Sequence, residues 1–199
     1  MNSRDYKLFR QGQYYHVYNR GNRKEEIFLD NEDYEYFLKR LLILLGKIPC
    51  PPRLHIKLLP LNSYVILCYC LMDNHFHFLI QQNSDLPITK LITKLTSSYS
   101  KYFNKKYKKI GNVFQDTFKC KRVDNDDYLK YLSAYIHNNP ENPFEYKYSS
   151  LSEYLDNKET ICDTGLILKY FQGSSDYEKF VKSYSYNSHQ KINHLTFEE

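Results

Sequence analysis

The 199-residue chain contains no tryptophan, although it carries 21 tyrosines and 12 phenylalanines. An aromatic supply so dominated by phenols is expected to do more than fill a core, and some of these rings should face partners outside the chain. No stretch of about 18 uncharged apolar residues occurs, so no membrane-spanning helix is expected, and the opening "MNSRDYKLFR" lacks the apolar centre of a secretory signal. These absences point to a cytoplasmic protein. The five cysteines, at positions 50, 68, 70, 120 and 162, form no CxxC pair and are odd in number, which argues against a disulfide framework and a zinc knuckle. No internal repeat or linker is evident. The length suits one principal domain, taken as residues 1–145, with a helical extension over 146–199 whose polar end after Tyr186 is expected to lack fixed structure.

Acidic residues are scarce in one region. Residues 90–122 hold ten basic side chains against the single acid Asp116, a local charge of +9 in a chain whose net charge is +5. A basic stripe on a nearly neutral remainder suits a polyanion. Tyr99, Tyr102, Phe103, Tyr107, Phe114 and Phe118 interleave with it, as expected for a surface that stacks bases as well as pairing phosphates. The alternative is a solvated lysine-rich helix whose aromatic positions are its core face.

Periodicity gives an order of elements. "QYYHVYN" (13–19) alternates as a strand, and "LDNEDYEYFLKRLLILLG" reads as a helix capped by Asp30 or Asn31 and closed at Gly46. A proline-broken loop follows. "SYVILCYCLM" and "HFHFLIQ", separated by the turn pair "DN", predict an antiparallel hairpin. Ile88, Leu91, Ile92, Leu95, Tyr99, Tyr102 and Phe103 recur at helical spacing between Pro87 and Tyr107. "TFKCKRV" (117–123) predicts a fourth strand, "DNDDYLKYLSAYIHNN" a helix ending before Pro140, and "SSLSEYL", "TGLILKYF" and "SDYEKFVKSY" short helices. The expected fold class is α+β: a ferredoxin-like antiparallel sheet (split βαβ) with helices on one face, an added helix nearby and a helical tail.

Within the hairpin, His75 and His77 project from one face of a strand about 7 Å apart along the chain, close enough to converge on one ion. Equally, they can be satisfied core histidines. On the helix near residue 126, Tyr128, Tyr131 and Tyr135 are candidate phenol nucleophiles, and Asn139 stacks one turn beyond Tyr135. Spacing does not choose among the three tyrosines.

The blocks "YYHVYNRGNRKEEIF", "YCLMDNHFHFLI", "LTSSYSKYFNKKYKKIGNVFQDTFK", "DDYLKYLSAYIHNNP" and "YKYSSLSEYL" resemble, in order, those of the REP-associated tyrosine transposases, a branch of the single-tyrosine HUH transposases. The resemblance implies a single-stranded DNA transposase that cuts and rejoins at hairpin-associated sites through a 5′-phosphotyrosine intermediate. It assigns Tyr135 of "YIHNNP" as nucleophile, and His75 and His77 as ligands of a divalent metal, Mg²⁺ or Mn²⁺. Asn139 is the expected third ligand, with Asn138 less favoured and no role for His137. Phosphate contacts are expected from Arg20, Arg23, Lys24, Lys101, Lys105, Lys106, Lys119, Lys121 and Arg122. The partner is single-stranded or hairpin DNA, with the protein a monomer or homodimer. The rival expectations are a domesticated hairpin-binding module without strand transfer, a rolling-circle-type initiator using Tyr131 with Tyr135, and a two-histidine phosphodiesterase. The last is disfavoured because "LHIK" around His55 lacks its expected hydroxyl residue.

Overall fold

The computed structural model describes residues 9–52, 57–156 and 160–191, with backbone alone over 185–191. His55 and the chain beyond Lys191 lie outside the described residues. Four strands, β1 (Tyr14–Arg20), β2 (Tyr64–Met72), β3 (His75–Gln82) and β4 (Lys119–Val123), form one sheet in the order β2-β3-β1-β4. All three pairings are antiparallel, the split βαβ arrangement expected from the element order. Two helices, α1 (Asn31–Leu44) and α2 (Ile88–Tyr107), supply the connections. The nucleophile-candidate helix α3 (Asp126–His137) follows β4, and α4 (Leu151–Leu155), α5 (Gly165–Leu168) and α6 (Ser174–Lys191) complete the tail.

Local chemistry sets these boundaries. The Asp30 side chain accepts from the Asp33 amide and caps α1, while Asn125 accepts from Tyr128 N at 2.7 Å and caps α3. Pro140 cannot continue α3. After β1 the chain turns through a one-turn 3-10 segment, Asn22–Lys24, with Arg23 and Lys24 at φ 55° and 64°. Gly21 opens that turn because a Cβ there would stand 2.0 Å from the Glu25 carbonyl oxygen.

The period of two along each strand divides the core. Tyr15, Val17, Phe76, Phe78 and Ile80 face α1 and α2, where Phe37, Leu41, Leu91, Leu95 and Tyr99 close an apolar cluster. Leu79, Cys68 and Cys70 face the other way, against Leu129, Leu132, Ile136, Tyr154, Tyr177 and Val181. A bulge at Leu67 lets it and Cys68, neighbours in sequence, join this second cluster. Helices therefore cover both faces, where the sequence reading placed them on one with a single helix nearby. The reason is that the C-terminal helices bury their own apolar positions with α3 rather than leaving α3 alone.

Nine of the described tyrosines are buried, and several tyrosines donate a hydroxyl to a backbone carbonyl. Tyr99 donates to the Ile27 carbonyl, Tyr154 to Leu67 O at 2.6 Å and Tyr146 to Leu71 O at 2.6 Å. Tyr99, Phe103, Phe114 and Phe118, expected as base-stacking rings, are buried. Tyr99 and Phe103 form part of the core face of α2, and Phe114 and Phe118, beyond that helix, are buried as well.

Candidate active site

On the α3 side of the sheet, β1 and β3 bring three imidazoles together. His77 Nδ1 lies 2.9 Å from His16 Nε2, with the two rings stacked at a centroid distance of 5.1 Å. His75 and His77 stand at right angles with centroids 5.1 Å apart. His75 places Nδ1 at 2.6 Å from Asn74 Oδ1 and Nε2 at 3.0 Å from Asn139 Oδ1. His77 Nε2 is buried and has no hydrogen-bond partner.

Burial dominates the electrostatics here. It pushes His16 down to about 3, with the Lys121 charge adding to the effect, and holds His77 well below the ordinary histidine range, helped by His16, His75 and Arg20. Both rings are neutral at physiological pH, the form in which imidazole offers a lone pair.

Helix α3 crosses this cluster with Tyr135 half-buried and edge-on to both inner rings, 5.8 Å from His77 and 6.4 Å from His16 between centroids. One turn on, Asn139 reaches His75. His137, two residues past Tyr135, points away into the second core, between Tyr177 Oη and Ser150 Oγ at 2.8 Å each. Asn138 likewise turns toward α6, its amide donating to Val181 O. Tyr131 packs on Phe180 and Tyr184, away from the histidines, and the Tyr128 ring lies under Lys121. Geometry thus separates three tyrosines that spacing left equivalent.

The basic residues divide. Arg20 pairs with His75 in the strand register, and Arg23 and Lys24 are exposed in the turn beyond it. Lys119 and Lys121 share the histidine face of β4, their ammonium groups over Tyr18 at 5.8 Å and Tyr128 at 5.2 Å. Strand alternation turns Arg122 to the opposite face, where it pairs with Asp124 at 2.6 Å. Lys101 and Lys105 are exposed on α2, in the other helical layer. Lys106 is bound to Asp30, Glu32 and Asp33 within 3.0 Å, and Asp33 is fully buried. That network consumes its charge and removes Lys106 from the phosphate-contact set. The stripe at 90–122 is therefore two surfaces, because α2 and β4 lie in different layers.

His16 was not singled out from sequence. The alternation of "YYHVYNR" shows that it shares a face with Tyr18 and Arg20, but its approach to His77 depends on the long-range register of β1 on β3.

The family model "Transposase IS200 like" matches residues 56–139, a span containing both hairpin histidines, Tyr135 and Asn139. Over that span, less than half of the chain, the sequence is similar to this family. The structure of a REP-associated tyrosine transposase bound to a REP hairpin superposes with a TM-score of 0.55 at 14% identity, over 77% of this chain and 85% of that one. A candidate transposase from Deinococcus radiodurans R1 matches with a TM-score of 0.43 at 13% identity, over 65% and 92% of the two chains. No curated protein matches. The IS200-like span begins before β2 and ends at Asn139; β1, with His16, lies outside it.

Among the described residues no group of three or more His, Cys, Asp or Glu side chains could hold a metal ion. A cation at this site would therefore need the amide oxygen of Asn139 beside the two imidazoles. The residues fit such a role: His77 carries a buried, unpartnered Nε2, and His75 Nε2 faces the Asn139 oxygen.

Proposed function

We propose that this protein cleaves and rejoins single-stranded DNA beside a hairpin, with Tyr135 as the nucleophile and a divalent cation, Mg²⁺ or Mn²⁺, held by His75, His77 and Asn139. One observation carries the reading: α3 meets β3 so that Tyr135 stands edge-on to His77 at 5.8 Å while Asn139, one turn later, lies 3.0 Å from His75. The IS200-like match and the fold shared with a hairpin-bound transposase support the DNA assignment.

Neutral imidazoles with an amide oxygen suit Mn²⁺ and tolerate Mg²⁺. Such a cation, when bound, polarises a phosphoryl oxygen and offsets charge that builds during in-line displacement. The chain's own groups carry the covalent step. The Tyr135 phenol oxygen attacks phosphorus, and the bond from phosphorus to the 3′-oxygen breaks. The phenolic proton passes to solvent and the departing 3′-oxygen takes one up. The products are a tyrosine joined through phosphate to the 5′-oxygen and a free 3′-hydroxyl. Attack by a 3′-hydroxyl of another strand end reverses the step, and because the phosphoryl group stays activated no nucleotide cofactor is required.

Arg20, Arg23, Lys24, Lys119 and Lys121 form the phosphate-gripping set, since all lie on the histidine side of the sheet or in the turn that continues it. Lys101, Lys105 and Arg122 stand off that side and are left without a role. A single nucleophile fits better than a tyrosine pair because Tyr131 packs on Phe180 and Tyr184. Tyr135 and both histidines belong to one chain, so a monomer carries the full set.

The test is incubation with Mn²⁺ and a 5′- or 3′-labelled library of single-stranded hairpins, followed by denaturing gels. A protein–DNA adduct lost in Tyr135→Phe, with hairpin binding retained, is the expected result. A folded wild-type protein that binds hairpins yet forms no adduct would establish the binding-module rival instead.

A further inference from the structure

We propose that His16 is a positioning residue: it holds His77 in the tautomer protonated on Nδ1, so that the His77 Nε2 lone pair is turned toward the site. The proposal deepens the reading above and depends on it only where a cation is concerned.

Two neutral imidazole nitrogens 2.9 Å apart share one proton, and there are two ways to place it. If His16 Nε2–H donates, His77 must carry its own proton on Nε2. That atom is buried with no hydrogen-bond partner, so this arrangement strands an N–H donor. If instead His77 Nδ1–H donates to His16 Nε2, the atom left without a partner is a lone pair. Unsatisfied buried acceptors are better tolerated than unsatisfied donors, and a lone pair is what a cation would take up. His16 is 5% exposed and stacked at 19° on His77, so the contact is fixed by packing from β1. The neighbouring ring differs: His75 faces an amide oxygen on each side, Asn74 Oδ1 at 2.6 Å from Nδ1 and Asn139 Oδ1 at 3.0 Å from Nε2, so its contacts do not choose between its tautomers. His77 thus has a protein acceptor on Nδ1 and presents Nε2, the arrangement by which outer partners orient metal-binding histidines.

The decisive measurement is ¹⁵N-detected imidazole NMR of the metal-free protein, paired with Mn²⁺ titration of wild type, His16→Phe and His16→Gln. Wild type is expected to show His77 protonated on Nδ1. His16→Phe keeps a ring but removes the acceptor; it should move the His77 proton to Nε2 and weaken Mn²⁺ binding by about 10- to 100-fold. His16→Gln, which restores a carbonyl acceptor, should recover most of both. A His77 protonated on Nε2 in wild type overturns the proposal, as does His16→Phe leaving the tautomer unchanged. A moved tautomer with unchanged Mn²⁺ affinity overturns the link to the cation. Should His16→Phe not fold, the wild-type tautomer and the His16→Gln protein decide. Wild type with the expected tautomer that binds no Mn²⁺ would sink the cation reading while the His16 assignment stands.

Discussion

The two faces of the sheet are drawn from alternate residues of the same strands, yet they differ in kind. Toward α1 and α2, Phe76 and Phe78 meet Phe37 and Tyr99, and the carboxylates of Asp30, Glu32 and Asp33 are held in the Lys106 network. Toward α3, the residues that alternate with them on β3 are His75 and His77, and neighbouring β1 and β4 supply His16, Arg20, Lys119 and Lys121. Every histidine whose side chain is described, at 16, 75, 77 and 137, lies on this second side. The contrast teaches that one face secures the fold, which leaves the other to hold buried imidazoles and a row of cationic groups. Stability and chemistry should accordingly be separable by mutation.

The largest separation is expected between Tyr135→Phe and Phe37→Ala. Loss of the phenol should reduce adduct formation by at least about 10³-fold with the denaturant midpoint unchanged. Phe37 is fully buried against Phe28, Phe76 and Tyr99, and its truncation should cost about 3–5 kcal/mol in chemical denaturation, with activity per folded molecule retained. A Phe37→Ala protein of normal stability would break the comparison.

Acid should act mainly through the α3 side. Burial pushes both His16 and His137 down to about 3, with Lys121 adding to the shift of His16, whereas in the unfolded chain each titrates near about 6.5. Between those values the unfolded state binds protons that the folded state refuses, so stability falls as pH drops from about 6.5 toward 3. At pH 5 the loss is about 2 kcal/mol per ring, readable from urea unfolding at pH 7 and pH 5 in metal-free buffer. A flat profile over that window would show that the rings are not held neutral.

On the first face, Lys106→Met should destabilise by about 2 kcal/mol in the same assay. The loss is limited because Tyr102, Tyr107 and the Leu29 amide still donate to the Asp33 carboxylate. The smallest effects concern grip. Lys119→Ala and Lys121→Ala should each weaken hairpin binding several-fold and lower the salt-dependence slope by about 0.7, while Lys105→Ala changes neither. Equal effects from all three lysines would erase the distinction between the layers.

Much of this was legible beforehand where the signal is local. The HxH alternation, the Asp30 cap and the "DN" turn follow from neighbours in sequence, whereas Asn139, expected one turn beyond Tyr135 on the same helix, lies past the end of α3 at His137. What depends on distant contacts was not legible. The approach of His16 to His77 requires the register of β1 against β3, and the capture of Lys106 requires α1 beside α2. The division of the basic stripe follows from α2 and β4 entering opposite layers, which charge counting along the chain does not register. The same holds for Phe114 and Phe118, whose aromatic character fits a stacking platform as well as the core they occupy.

The account stands most directly on where DNA becomes attached. Peptide mapping by mass spectrometry of the adduct formed with Mn²⁺ and hairpin DNA should find the nucleotide on Tyr135 and on none of the other 20 tyrosines among the 21. A nucleotide on Tyr131, Tyr128 or any tyrosine of the α1 and α2 side would contradict it.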